Sequence, residues 1–196
     1  MLFVNFDPFP ILETERLLLH AMSESHVEDM FKLRSNPQAM QYIGKPLLAS
    51  RNEARDLIDA YSRNLRDKIG ITWGIALKDI RVNESEGALI GTIGFHKMDL
   101  YNYRAEIGYM IHPDHWFKGI MSEALKRIVD YGFKEMYFHS IEAKISPEND
   151  ASRKILLKHG FEKEAYFKES FHENGRFLDT EIYSLLNKPG ERHKTA

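Results

Sequence analysis

Short blocks of apolar residues, separated by polar turns, set the elements the chain is expected to form. Arg16-Leu17-Leu18-Leu19-His20 is an apolar run too short for a helix and reads as a strand. Ser25-His26-Val27-Glu28 has the spacing of a capping box, and Val27, Met30, Phe31 and Arg34 follow on one helical face. Ser50-Arg51-Asn52-Glu53 repeats that signal before a second helix with the stripe Ala54, Leu57, Ile58, Tyr61 and Leu65, and Gly70 is expected to stop it. Ile71 to Leu77, Ala88 to Phe95 and Ala105 to Ile111 are three strand patterns, the first two joined by the polar turn Lys78 to Gly87. Strands this close in sequence predict an antiparallel meander.

Gly119 then opens a long helical pattern, with Ile120, Ala124, Leu125, Ile128 and Val129 on one face. Ser140 to Ile145 reads as a strand, Asn149 to Lys158 as a short helix, and Gly160 as its stop. Phe161 to Phe171 and Arg176 to Leu186 are closing strands around the turn His172-Glu173-Asn174-Gly175. The expected fold is α/β (α+β): a mixed central sheet of about seven strands, largely antiparallel, with helices on both faces. Residues 1–187 form one domain and residues 188–196 a polar, breaker-rich flexible tail.

Composition narrows the functional classes. The 196 residues are 43% hydrophobic and 29% charged, ordinary values for a globular chain. With 27 basic against 29 acidic side chains, the net charge of -2 gives no electrostatic footprint for nucleic acid. Cysteine is absent, which excludes disulfides, thiolate metal sites and a cysteine nucleophile. No apolar stretch approaches the roughly 20 residues that cross a bilayer, and the start MLFVNFDPFP lacks the basic residue of a secretory signal. A cytoplasmic protein with no membrane partner is expected.

The stretch from Glu106 to Ala124 carries the most chemistry, because a strand there runs through a one-glycine loop into a helix. Unpaired N–H groups of that first turn, the helix dipole and Lys118 together suit a pyrophosphate, although any strand-loop-helix leaves a free helix terminus. Other phosphate motifs are missing: there is no G-x-x-x-x-G-K-[ST], and no G-x-G-x-x-G follows a strand. Gly91-Thr92-Ile93-Gly94 lies inside a strand, where glycines mark a bulge or a close backbone contact. His112 and His115 flank Pro113, which breaks the helical spacing a metal pair needs, so no metal is expected.

Four segments, in order, give the sequence a specific likeness. Thr14-Glu15-Arg16-Leu17-Leu18-Leu19, then Glu106-Ile107-Gly108-Tyr109, then His115 to Ala124 with its Ser122-Glu123-Ala124, then Asn149-Asp150-Ala151-Ser152 with Lys158-His159-Gly160-Phe161 span nearly the whole chain. The sequence resembles the GNAT superfamily of N-acetyltransferases, in the RimJ/RimL branch of ribosomal-protein N-terminal acetyltransferases. The resemblance implies the GNAT-like fold, acetyl-CoA as co-substrate and an amine acceptor, with a monomer or homodimer both compatible. The family's Q/R-x-x-G-x-G/A loop, which holds the pyrophosphate on backbone amides, falls on Trp116, Phe117, Lys118, Gly119, Ile120 and Met121, with Ser122 next. Trp116 stands for Gln/Arg, Phe117 for the branch's usual Gly, and Met121 for Gly or Ala. Such side chains crowd a backbone that a ligand must approach.

Acetyl transfer needs an oxyanion site, a base for the amine and a proton source for the leaving thiolate. By resemblance, the amides at Met110 and Ile111 supply the first and contact the pantetheine arm. Glu106 is the expected base, unless it faces solvent or pairs with Arg104. The family's acidic Tyr, seven residues after the Asn, is Leu156 here, and Ser152 is the hydroxyl the branch offers instead. Ser152 equally suits a bond to the helix backbone, and Asn149 either caps that helix or bonds the pantetheine amide. His96 and His139 lie near strand edges and border the expected cleft or pack at the surface. The resemblance implies a protein N-terminal α-amine as acceptor, with a small amine or an aminoglycoside, or a non-catalytic acyl-CoA-binding module, as the alternatives. Its cleft is expected between Met22 to Tyr42 and the hairpin near His172, with Glu169, Glu173, Asp179 and Glu181 as possible acids for a polycation.

Overall fold

One sheet of eight strands organises the chain. In the computed structural model, residues 1–79, 87–173 and 175–188 are described, with the backbone alone at Glu173. The expected turn between the first two meander strands, the hairpin tip at Asn174 and the tail beyond Lys188 therefore lie wholly or partly outside the described residues. Along the chain run β1 (Leu12–Glu13), β2 (Leu17–His20), α1 (Val27–Ser35), α2 (Pro37–Met40), α3 (Arg51–Arg66), β3 (Ile71–Leu77), β4 (Gly91–Asp99) and β5 (Arg104–Ile111). Then come α4 (Ile120–Lys134), β6 (Ser140–Ile145), α5 (Asp150–Lys158), β7 (Glu162–Glu173) and β8 (Arg176–Leu186). The sheet order is β1-β2-β3-β4-β5-β6-β8-β7, and every neighbouring pair is antiparallel except β5 with β6. A parallel pair needs a long crossover, and α4 is that crossover.

Alternation along β5 divides the core. Ile107 and Ile111 join the large cluster that takes in α4 and Leu156 of α5, whereas Met110 packs with Leu33 of α1 and Met40 of α2. Neighbouring side chains of a strand point to opposite faces, so helices cover both sides of the sheet, as expected. The central strand β3 is buried on both faces through Ala76, which explains its unbroken apolar run. Trp73 anchors it, donating from Nε1 to the Pro10 carbonyl (2.7 Å) and meeting Phe95 and Tyr131 edge to face.

Several local expectations shift. The extra strand β1 is a two-residue pairing with β2 that no periodicity signals. The capping box sits two residues early: Ser23 N–H donates to His26 Nδ1 (3.0 Å), and Glu28 instead accepts from Arg51 Nη2 (3.1 Å). Helix α2 was unforeseen, though Asn36-Pro37 is a start signal, and the Asn36 carboxamide oxygen accepts from Gln38 and Ala39 amides. Ser50 does cap α3, accepting from Glu53 N–H. That helix ends at Arg66, and the chain turns out of it at Lys68, which takes the left-handed conformation (φ 55°), rather than at Gly70. Gly70 is small for another reason: a Cβ there would stand 2.5 Å from the Phe95 carbonyl. Strand β4 starts at Gly91, three residues after the expected Ala88.

Candidate active site

Strands β5 and β6 pair over only three positions, Arg104 with Ser140, Ala105 with Ile141 and Glu106 with Glu142. Beyond them the strands part, and residues 107–111 run along an open edge. Register decides which groups face that opening. His112 N–H donates to the Ile90 carbonyl (2.8 Å), and Thr92 lies opposite Met110. Antiparallel alternation then commits the Met110 amide to β4 and turns the N–H and C=O groups of Tyr109 and Ile111 toward the opening. Of the two amides expected to serve the reaction, only Ile111 faces the gap. Its carbonyl is taken by Trp116 Nε1 (3.0 Å), which leaves the N–H as its contribution.

The loop after β5 delivers the chain to the α4 N terminus beside the same gap. Phe117 takes a left-handed conformation (φ 59°), one that glycine favours and that costs another residue about 1–2 kcal/mol. Its ring is 97% exposed and turned outward, edge-on to Trp116. Met121 points the other way, into the core at 6% exposure. Neither side chain therefore blocks the turn. Gly119 is the N-cap at φ 74° and carries no capping side chain, so the first-turn amides of Ile120, Met121 and Ser122 keep no intrahelical acceptor. Lys118 folds its ammonium onto the Asp114 carbonyl (2.7 Å), and Arg16 Nη1 donates to the Lys118 carbonyl (3.0 Å). Two cations thus flank an exposed helix start.

Glu123 fixes that start against the first strands. Its carboxylate accepts from Thr14 Oγ1 (2.5 Å), Arg16 N–H (3.0 Å) and Arg16 Nε (2.7 Å). Burial opposes its charge, but these donors together hold its carboxyl below the usual carboxylate range. The Thr14-Glu15-Arg16 segment and the Ser122-Glu123-Ala124 segment are thus two halves of one clamp. Ser122 Oγ lies 2.8 Å from His159 Nε2, which ties the α4 start to the α5 end.

Across the gap, Asn149 caps α5, accepting from Ser152 N–H (3.0 Å). Ser152 is 6% exposed, and its Oγ lies 2.7 Å from the Tyr109 hydroxyl. Burial pushes the Tyr109 phenol up to about 12, while the bond to Ser152 pulls the other way. Tyr109 was quoted only as part of a motif; its place opposite Ser152 depends on the splay and has no local signal.

On the opposite face, Glu106 bonds Lys144 Nζ (2.6 Å) rather than Arg104, which pairs with Glu142 (2.8 Å). That bond raises the Lys144 ammonium. The register of β4 slips between Phe95 and Lys97, and His96 occupies the slip. Its ring lies on Gly108, where a Cβ would stand 2.3 Å from Cδ2 and 2.4 Å from Nε2. One step further along β5, Arg34 Nη1 lies 3.6 Å from Met110 Sδ, and Arg34 Nε is buried without a hydrogen-bond partner among the described residues. A cleft of about 660 Å³ opens beside Glu106 and Lys144. Tyr42 and Gly44 form one wall, and Tyr166, Phe171 and Phe177 of the closing hairpin form another. Glu148, Glu169 and Asp179 add carboxylates, and Asp179 is held low by its hydrogen bonds from Tyr166 and the Glu169 amide. Glu181 is not among them. It is buried at 5% and bound by Lys163, Tyr183 and Arg153, because its strand position faces inward. Among the described residues, no three His, Asp or Glu side chains converge as metal ligands, and no helix is long and apolar enough to cross a membrane.

Comparison with known proteins agrees with this arrangement. The family model for the Acetyltransferase (GNAT) domain matches residues 16–162. YoaA of Bacillus subtilis (strain 168), an uncharacterized N-acetyltransferase, is 39% identical over 93% of this chain and 99% of its own. The p20 protein of Bacillus licheniformis, also an uncharacterized N-acetyltransferase, is 33% identical over 90% of this chain and 96% of its own. A solved GNAT-family acetyltransferase from Bacillus anthracis superposes with a TM-score of 0.76 at 29% identity, covering 90% of this chain and 98% of that one. Matched over most of its length by that family model and by these relatives, the chain belongs to the GNAT acetyltransferase family and is an N-acetyltransferase.

Proposed function

We propose that residues 1–187 act as one domain that acetylates a primary amine from acetyl-CoA, and that the acceptor is a peptide N-terminal α-amine. The open trough beside Glu106 carries this reading. Walled by the 41–44 loop and the aromatic face of the closing hairpin, it suits an extended chain end better than an enclosed pocket would. Among the relatives, the Ribosomal-protein-serine acetyltransferase of Escherichia coli (strain K12) is 26% identical over 88% of this chain and 94% of its own.

The donor side of the site follows from the two open features. The amides of Ile120, Met121 and Ser122, with Gly119, Lys118 and Arg16 beside them, hold the pyrophosphate. Trp116 keeps the loop against β5, Phe117 stays at its rim, and the Tyr109 and Ile111 backbone groups line the pantetheine arm. Asn149, whose carboxamide oxygen caps α5, positions Ser152. Acetyl-CoA supplies the activated acetyl group. The Ile111 N–H stabilises charge developing on the carbonyl oxygen, Glu106 draws the acceptor nitrogen to the vertex of the splay, and Ser152 serves the departing sulfur.

A second reading has an observation of its own. Glu106, Glu148, Glu169 and Asp179 line the trough against one cation, Lys144, which favours a small polycationic amine. The Spermidine N(1)-acetyltransferase of Vibrio cholerae, 25% identical over 88% of this chain and 95% of its own, is a relative of that kind. Thiol release measured with N-terminal peptides, polyamines and aminoglycosides separates the two. Peptides are expected to turn over fastest; exclusive use of polyamines or aminoglycosides overturns the peptide reading. Calorimetry showing acetyl-CoA bound without thiol release for any amine would make the chain a binding module.

A further inference from the structure

We propose that His96 is the catalytic base of this site and that Glu106, the carboxylate expected in that task, acts as its positioning and charge-balancing partner. The inference rests on the acetyl-transfer reading above and concerns the route of the acceptor's proton. It starts from the backbone. The slip in β4 after Phe95 takes His96 out of the strict alternation, and the missing side chain at Gly108 lets the imidazole lie on β5. Any other residue at 108 would occupy the ring's place.

The position is the one the reaction requires. Gly108 lies two residues beyond Glu106, the last paired position before β5 and β6 part, and on the same face of the strand. On the other face, Tyr109 reaches Ser152. An acetyl thioester lying in the splay would thus have its sulfur served from one face and an incoming amine received from the other, where His96 stands. His96 as a whole residue is exposed, so a proton taken by its ring has an exit to solvent.

Charge around the ring supports a neutral imidazole. Facing it are Glu106 from β5, itself bonded to Lys144 of β6, and Arg34 from α1, with Tyr61 of α3 near that guanidinium. Partial desolvation by the packed protein around it comes first, although the residue keeps exposed surface, and with Arg34 it pushes the imidazole below its ordinary 6.5, while Glu106 and a backbone hydrogen bond at Gly108 pull it back up. Glu106 is a poorer acceptor because its carboxylate already bonds the Lys144 ammonium at 2.6 Å. The amine lone pair forms the C–N bond, the C–S bond breaks with its electrons on sulfur, and the nitrogen's proton passes to the His96 ring and then to water. The sulfur takes the Ser152 hydroxyl proton, and the water that received nitrogen's proton restores it, so N–H and C–S are exchanged for C–N and S–H overall.

The pH dependence of kcat/KM and the ring titration by NMR test this in the full chain. Wild type is expected to lose rate as pH falls through the His96 pKa. His96→Gln should lower kcat about 100-fold and remove that limb, with acetyl-CoA affinity by calorimetry unchanged. Glu106→Gln should keep the limb but move it, and the His96 ring titration without acetyl-CoA, to lower pH, since the carboxylate that favours imidazolium is gone. Gly108→Ala, which displaces the ring and retains its chemistry, should mimic His96→Gln if the latter folds poorly. A wild-type limb retained in His96→Gln, or abolished by Glu106→Gln while the ring titrates unchanged, overturns the assignment and leaves the acetyl-transfer reading intact. Acetyl-CoA binding with no transfer by wild type to any amine brings down both.

Discussion

At the scale of single residues, the pair formed by Tyr109 and Ser152 crosses the gap between β5 and α5. Either hydroxyl can donate at 2.7 Å, and the bond holds the Ser152 hydroxyl in place. Tyr109→Phe removes that constraint alone. A loss of about 2–10-fold in kcat is expected, the worth of one hydrogen bond, with acetyl-CoA affinity unchanged by calorimetry. An unaltered kcat would remove Tyr109 from the mechanism. Glu123 makes a different prediction, about stability. Glu123→Ala leaves Thr14 and Arg16 without their acceptor and should cost about 1–2 kcal/mol by denaturant titration, discounted because Arg16 is half-exposed. A carboxyl held below its ordinary 4.5 when folded stabilises fully above that pH and loses its contribution as pH falls through the folded value. The gap between wild type and variant should therefore close in acid.

At the scale of elements, most helix caps and stripes and the antiparallel meander were legible, and the side-chain pairs set by register were not. The α4 stripe, the Ser50 and Asn149 caps and the Gly119 start all follow from neighbours within a turn, and each stands where the spacing puts it. Glu106 with Lys144, the His96 ring on Gly108 and the burial of Glu181 depend on which strands meet and in which register, information no short window contains. Met110 shows the same limit: its type and position fit the resemblance, yet the parity of β5 against β4 commits its amide elsewhere. Phe117 shows the reverse. The substitution for glycine is plain in the sequence, but only the backbone reveals that it keeps glycine's conformation with its ring outside the turn. Gly119→Asp tests the α4 start. The substitution strains φ 74° and sets a carboxylate beside the proposed pyrophosphate, so acetyl-CoA affinity should fall at least about tenfold by calorimetry. Affinity that survives would move the anion site away from this turn.

Over the whole molecule, a net charge of -2 conceals an uneven distribution, with carboxylates gathered in the trough and cations at the α4 start. A cationic acceptor should then show a KM that rises with added salt, because exposed charges are screened over about 8–10 Å at physiological ionic strength. A KM indifferent to salt would mean that the trough carboxylates do not recruit the acceptor. The two ends of the site meet only at the vertex where β5 leaves β6, and the account stands on that geometry. Amide hydrogen exchange with and without acetyl-CoA examines it most directly. Slowed exchange at Tyr109, Ile111 and Ile120 to Ser122, with β1 and β2 unchanged, is the predicted result; saturating acetyl-CoA that leaves those amides exchanging as before would contradict it.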